Sequence, residues 1–154
     1  MSQAEVAELV DLLEDSYRRL VDTLALFSEE HLDFAPQGYG NTVRGQIMHS
    51  CYSDLLCLNL ADGGSRPLPE ERVGKRPNTQ ELRGLIEETR TEVLHTLRAM
   101  SEEELRREVH VPWAAGPRSA FWLMMHTLRH IHYHLGQLTT YAYLLGLSKW
   151  QPGQ

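Results

Sequence analysis

Four of the chain's eight histidines, His126, His130, His132 and His134, crowd into one short stretch. On a helix of about 3.6 residues per turn, His126, His130 and His134 form one stripe, while His132 points nearly the opposite way. Neutral imidazole is the commonest protein metal ligand, and two histidines four apart on one helical face can grip one ion. The same spacing also suits hydrogen-bonded core or surface histidines, because a bare H-x-x-x-H pair is a common pattern.

A further candidate stands alone upstream. A helix is expected over about 43–61, capped by Asn41 or Thr42, and on its wheel His49 shares a face with Gly45, Tyr52, Ser53, Leu56 and Leu60. That stripe reads as mostly buried, so His49 is expected to face inward, where its ring nitrogens need a partner and a metal on a facing helix can be one. His95 lies off the apolar face of its own segment and is set aside. The economical site is therefore His49, His130 and His134. Three neutral nitrogens leave positions open for water or substrate, which marks a catalytic rather than a structural centre. Imidazole suits Zn, Ni, Mn, Fe or Co alike.

The elements that must position these residues follow from apolar spacing. Ser2 with Glu5 is expected to cap a first helix, whose apolar positions run from Val6 through Leu13 and Leu20 to Phe27. A loop ending in Pro36-Gln37-Gly38-Tyr39-Gly40 precedes the second helix. Residues 63–77 form a Gly/Pro-rich connection long enough to run the length of a helix, so the second and third helices can point the same way. Its Arg66, Arg72, Lys75 and Arg76 read as a solvated loop that could also meet an anionic substrate. Asn78 with Glu81 opens a third helix to about residue 99, and Ser101 with Glu104 caps a short turn. Residues 108–117 read as an extended stretch and turn with no room for a sheet, and Trp113 as a lid on one end of the bundle. Ser119 caps the last helix, which Gly146 ends. Four long amphipathic helices make an all-α four-helix bundle.

At 154 residues, with 42% hydrophobic and 23% charged content, the chain fits one globular domain over 1–154. Its net charge of -6 repels phosphate backbones and anionic membrane surfaces, so neither nucleic acid nor a membrane is an expected partner. There is no signal-peptide pattern and no apolar run of about 20 residues, so a cytoplasmic location is expected. Cys51 and Cys57, six apart on different faces of one helix, cannot bridge each other and read as reduced thiols.

The pattern His126-x3-His130-x3-His134-Leu135-Gly136-Gln137, with a single His49 upstream, resembles the DinB/YfiT-like proteins. Ser28-Glu29-Glu30-x-Leu32 with Pro36, and Ser101-Glu102-Glu103-Glu104-Leu105, sit where that family has similar segments. The resemblance implies an up-down-down-up bundle in which His49, His130 and His134 bind one divalent ion, and a homodimer formed through helix faces such as that around His132 and Tyr143. It also places His126 and Gln137 in the surroundings of the ion. Read from their own positions, Tyr52, Ser53, Tyr133 and Tyr141 are candidates for lining the pocket, and inward aromatics equally suit plain core packing. Gly136 is expected to permit close helix packing. Many members carry Arg where this chain has Leu135, a departure expected to alter only the rim of the site.

Characterised relatives include thiol S-transferases that use bacillithiol, mycothiol or glutathione, and enzymes of the maleylpyruvate-isomerase type. The resemblance thus implies a small-molecule substrate, a metal ion and a low-molecular-weight thiol. Hydrolysis is the alternative, as is a non-catalytic stress-response bundle. The transferase is preferred because no inward Asp or Glu stands out as a general base. Arg44, Arg118 and Arg129 are the candidates for holding the thiol's carboxylates.

Overall fold

The computed structural model describes residues 3–148. Its elements are α1 (Gln3–Leu24), α2 (Val43–Ala61), α3 (Pro69–Val73), α4 (Thr79–Ala99), α5 (Glu102–Arg106), the two-residue strands β1 (Glu108–Val109) and β2 (Arg118–Ser119), and α6 (Ala120–Leu144). Most helix starts fall where the caps place them. Thr42 accepts from the Gly45 N–H at 3.0 Å, Asn78 from Glu81 at 2.8 Å and Ser119 from Trp122 at 3.1 Å, while Ser101 and Glu104 form a reciprocal capping box. Each cap satisfies an amide that the first helical turn leaves without a partner. The expected Ser2 cap lies outside the described residues. α6 gives way to Gly146 at φ 71°, a left-handed position that favours glycine.

Hydrogen bonds between helix ends fix the topology. Arg44, in the first turn of α2, donates to the Arg76 carbonyl at 2.6 Å, just before α4 begins. The connection therefore returns the chain to the end at which α2 started, so α2 and α4 run the same way. Glu29, just past α1, accepts from the Thr79 N–H at 2.9 Å, which puts the start of α4 beside the finish of α1. At the opposite end Arg107 donates to the Ala61 carbonyl at the finish of α2, while Tyr141, late in α6, returns to the first end and donates to the Asn41 carbonyl just before α2. The order is up-down-down-up. The principal packing pairs are α2 with α6, α1 with α4, α1 with α6 and α2 with α4. Leu13, Tyr17 and Leu20 of α1, Ile47 and Leu58 of α2, Leu82, Ile86 and Leu97 of α4, and Leu123, Ile131 and Leu138 of α6 are wholly buried between them. Among the described residues no helix is long and apolar enough to cross a membrane.

Several expectations are corrected. The buried face of α2 carries Val43, Gln46, Ile47, Ser50, Cys51, Asp54, Leu55 and Leu58, so the stripe through Gly45, Tyr52, Ser53, Leu56 and Leu60 is only partly buried and His49 is exposed. Polar residues interrupt the buried face, which is why apolar spacing chose the wrong side. α1 stops at Leu24 instead of near residue 28, because the Leu26 and Phe27 amides turn back to Thr23 and Leu24. The segment after Arg107 does form a small antiparallel pair, Glu108 with Ser119 and Val109 with Arg118, since the turn between them doubles the chain back on itself. Gly136 is exposed, and a Cβ there would meet nothing within 4 Å, so it permits no close packing. Leu135 is buried and belongs to the core, not to a rim.

The crossover is not a free loop. α3 starts with Pro69 at a position that suits a residue lacking an N–H, and Pro69 and Val73 are both buried. Arg66 and Arg72 converge on Glu92 of α4 at 2.7 and 2.6 Å, and Arg76 meets Glu88 at 3.4 Å. These ion pairs pin the strap to α4 and leave those three arginines engaged.

Candidate metal centre

The longest interface between helices, α2 against α6, brings His49, His130 and His134 together. One ligand nitrogen from each lies within 4.8 Å of the others, so the three could hold a metal ion. The ring centroids are 5.2 Å apart from His49 to each of its partners, and 4.5 Å apart between His130 and His134. The Nε2 atoms of His130 and His134 are 3.2 Å apart. Two nitrogens bound to one ion at ~2.0–2.1 Å stand roughly 3.0–3.4 Å apart, so the pair is already spaced for joint coordination.

The state of His134 follows from its surroundings. The Tyr141 hydroxyl donates to the Asn41 carbonyl at 3.0 Å, which can only accept. The hydroxyl must then accept from the Gln46 amide Nε2, 3.1 Å away, and that same nitrogen donates to Gln137 Oε1. Gln46 Oε1 is thereby turned toward His134 Nδ1, which must carry the proton. The lone pair of His134 is left on Nε2, facing the other two imidazoles. A backbone carbonyl thus dictates a histidine tautomer through a tyrosine and an amide, the kind of support that orients metal ligands.

His130 has no such support. Its Nδ1 is buried without a hydrogen-bond partner among the described residues. His49 is exposed, His130 half-buried and His134 buried, so the triad runs from the surface into the interface. Burial, with the neighbouring imidazoles, pushes the pKa of His134 down to about 3 and that of His130 down to about 4. Burial and Arg129 lower that of His126. His130, His134 and His126 therefore stay neutral at ordinary pH, and the neutral ring is the form that binds a metal.

On one side the triad opens onto a cleft of about 520 Å³, lined by the Gly38–Asn41 loop, Gln46, Tyr133, Gln137 and Tyr141. Tyr133 is 60% exposed and sets its ring edge-on to His134 at 5.2 Å. On the other side His126 stacks on His130, with centroids 5.7 Å apart and planes 19° apart, and accepts from Arg129 Nη2 at 2.8 Å through Nδ1. His126 therefore walls the site on this side.

Two expected lining residues are placed elsewhere. Tyr52 donates to Glu70 of α3 at 2.7 Å, and Ser53 hydrogen-bonds with Cys57. Trp113, in the turn between β1 and β2, leans on His126 with ring centroids 5.7 Å apart. Arg44 is engaged by Asp33 at 3.0 Å as well as by the Arg76 carbonyl, which removes it as a substrate contact. Cys51 and Cys57 are both buried and unbridged, and burial pushes both thiols well above their ordinary pKa. Gln46 went unnoticed in the sequence. Its signal was a long amide among the apolar positions Val43, Ile47 and Cys51.

A helical bundle with three converging imidazoles beside an open cleft is the framework of a metal-binding protein. The DinB superfamily profile matches residues 12–138, and the chain belongs to that superfamily. No curated protein matches it. Among solved structures it is similar to the DinB-like protein YjoA of Bacillus subtilis, with a TM-score of 0.74 and 17% identity over 96% of this chain and 98% of that one. YfiT of Bacillus subtilis, described as a probable metal-dependent hydrolase with an unusual four-helix bundle topology, gives a TM-score of 0.70 and 17% identity over 96% and 91%. At that identity the likeness concerns the fold.

Proposed function

We propose that His49, His130 and His134 bind one divalent metal ion, and that the protein uses it as a thiol S-transferase acting on a small molecule. The observation that carries the reading is the convergence of three imidazoles, two of them kept neutral by burial and one with its tautomer fixed, beside an open cleft. A divalent ion there would supply the positive charge that lowers the pKa of a coordinated thiol.

The chain's own residues supply the rest. Gln46 holds the lone pair of His134 toward the site. Tyr133, Gln137 and the Gly38–Asn41 loop offer hydrogen-bonding groups to a co-substrate of glutathione, mycothiol or bacillithiol type. With Cys51 and Cys57 buried, a reacting thiol comes from outside the chain. The donor set fits Zn, Ni, Mn, Fe or Co.

Hydrolysis is the second reading, favoured by the description of YfiT as a probable metal-dependent hydrolase. It requires a group to take a proton from water. No carboxylate is among the described residues lining the cleft, which favours the transferase.

Metal content of the purified protein, compared with His49→Ala, His130→Ala and His134→Ala variants checked by circular dichroism, tests the site. Near-stoichiometric metal lost in all three folded variants is expected. Wild-type protein that carries no metal and takes none up overturns the reading. Metal-loaded protein is then assayed for thiol consumption against electrophiles and, separately, for ester and amide hydrolysis. A homodimer through the outer side of α6 belongs to the same proposal. Tyr143 is 55% exposed there, whereas His132 is already engaged by Ser16 Oγ at 3.0 Å. Sedimentation velocity distinguishes dimer from monomer.

A further inference from the structure

The side of the triad away from the cleft carries a wall that metal binding does not use. Trp122, His126 and His130 stack in sequence along α6, with centroids 5.4 and 5.7 Å apart and planes within 18° and 19° of parallel. Trp113 comes in from the turn between β1 and β2 to lie 5.7 Å from His126, tilted by 41°, and keeps 45% of its surface exposed. The exposed indole of Trp113, set beside the edge of a column of parallel rings, offers a flat apolar face on which a planar ligand can stack.

The wall also carries positive charge. In a chain of net charge -6, Arg44, Arg66, Arg72 and Arg90 all end on carboxylates. Arg118 and Arg129 pair with no carboxylate among the described residues. Arg118 lies over the Trp122 ring at 5.5 Å, and among the described residues its side chain donates only to the Pro117 carbonyl, at 3.1 Å. Arg129 is exposed and donates to His126 Nδ1 at 2.8 Å. Guanidinium groups are the side chains best matched to a carboxylate, and they also stack on aromatic faces.

We propose that this wall is a binding subsite for a planar carboxylate, an aromatic or conjugated acid whose ring stacks on the exposed Trp113 indole beside the edge of His126 and whose carboxylate meets Arg129 and Arg118. The assignment names the substrate class for the site proposed above and rests on that reading for its role in catalysis, but binding at the wall does not require the metal. The arrangement divides the two substrates. The thiol co-substrate occupies the cleft on the Gln137 side, the planar acid occupies the wall, and the triad lies between them.

The test uses 2-naphthoate as probe, with 2-naphthalenemethanol as the uncharged planar control and cyclohexanecarboxylate as the non-planar anion. Binding is followed by calorimetry on full-length protein, both with metal and after chelation. Saturable binding of 2-naphthoate is expected in both states, with each control at least about tenfold weaker. Arg129→Gln and Trp113→Leu, both changes at exposed positions, are each expected to weaken 2-naphthoate by about tenfold with the circular dichroism spectrum unchanged. The His49→Ala variant is expected to bind it as wild type does, so failure of the metal reading leaves this result readable. Equal binding of naphthoate and the alcohol overturns the proposal, as does wild-type affinity in both wall variants. Binding that disappears on chelation also overturns it, by placing the carboxylate on the ion instead of the arginines.

Discussion

At the scale of single residues the centre is asymmetric. His134 is held by Gln46 and, through it, by Tyr141 and Asn41, whereas His130 Nδ1 is unpartnered and His49 is exposed. Removing the support should act on affinity and leave the fold intact. Gln46→Leu is expected to weaken metal binding roughly 10–100-fold while the helical signal persists. Competition with a calibrated chelator measures this, and unchanged affinity would show that the tautomer is set some other way.

The depressed histidines also give a pH signature. Their folded pKa values, about 4 and about 3, lie below the ordinary 6.5, so between those limits the unfolded chain binds more protons than the folded one. Stability of the metal-free protein is fully present above about pH 6.5 and declines as pH falls toward 4. Urea midpoints in the presence of a chelator should therefore drop from pH 7 to pH 5, and His134→Ala should flatten that drop. Gln46 escaped the sequence reading because nothing in a single glutamine announces that it will be buried. The two histidines four apart were legible because their spacing alone puts them on one face.

Among the elements, the crossover is the least expected part of the architecture and the most tightly held. Its length told that it could return along a helix. It could not tell that Arg66 and Arg72 would close on Glu92, because ion-pair partners far apart in sequence leave no local pattern. The three side chains are all less than one-third exposed, so the cluster is worth more than an ordinary surface pair. Glu92→Gln leaves two guanidinium groups facing each other without their anion, and a loss of about 1–2 kcal/mol is expected, or ~3–6 °C in Tm for a domain of this size. Thermal unfolding checks it. The caps were legible at Thr42, Asn78, Ser101 and Ser119 because a cap is local chemistry. The inward face of α2 was misread because Gln46, Ser50 and Asp54 are buried there alongside the apolar residues.

For the molecule as a whole, the centre of the bundle holds a polar contact that ties two of its non-neighbouring helices. The hydroxyl of Tyr17 in α1 donates to Asp54 in α2 at 2.8 Å, with both residues wholly buried and Asp54 Oδ1 unpartnered. Burial raises the pKa of Asp54 well above its usual 3.8, so the folded chain keeps a proton that the unfolded chain releases. Stability should therefore fall as pH rises above about 4 toward the folded pKa, opposite in sign to the histidine effect. Asp54→Asn keeps an acceptor for Tyr17 and has no charge to bury, so it should gain stability over wild type at pH 8 relative to pH 5. Tyr17→Phe removes the only hydrogen bond to the buried carboxyl among the described residues and should cost about 1–3 kcal/mol. Chemical denaturation across pH reads both.

The pairing of α2 with α6 also orders events while the protein is being made. His49 leaves the ribosome roughly eighty residues before His130 and His134. The two later imidazoles share one helix and can meet an ion as soon as that helix forms, but the third is reached only when α6 has docked between α1 and α2. The complete centre therefore arises at the last stage of assembly. A chain that captures its ion tightly has, by that fact, finished folding.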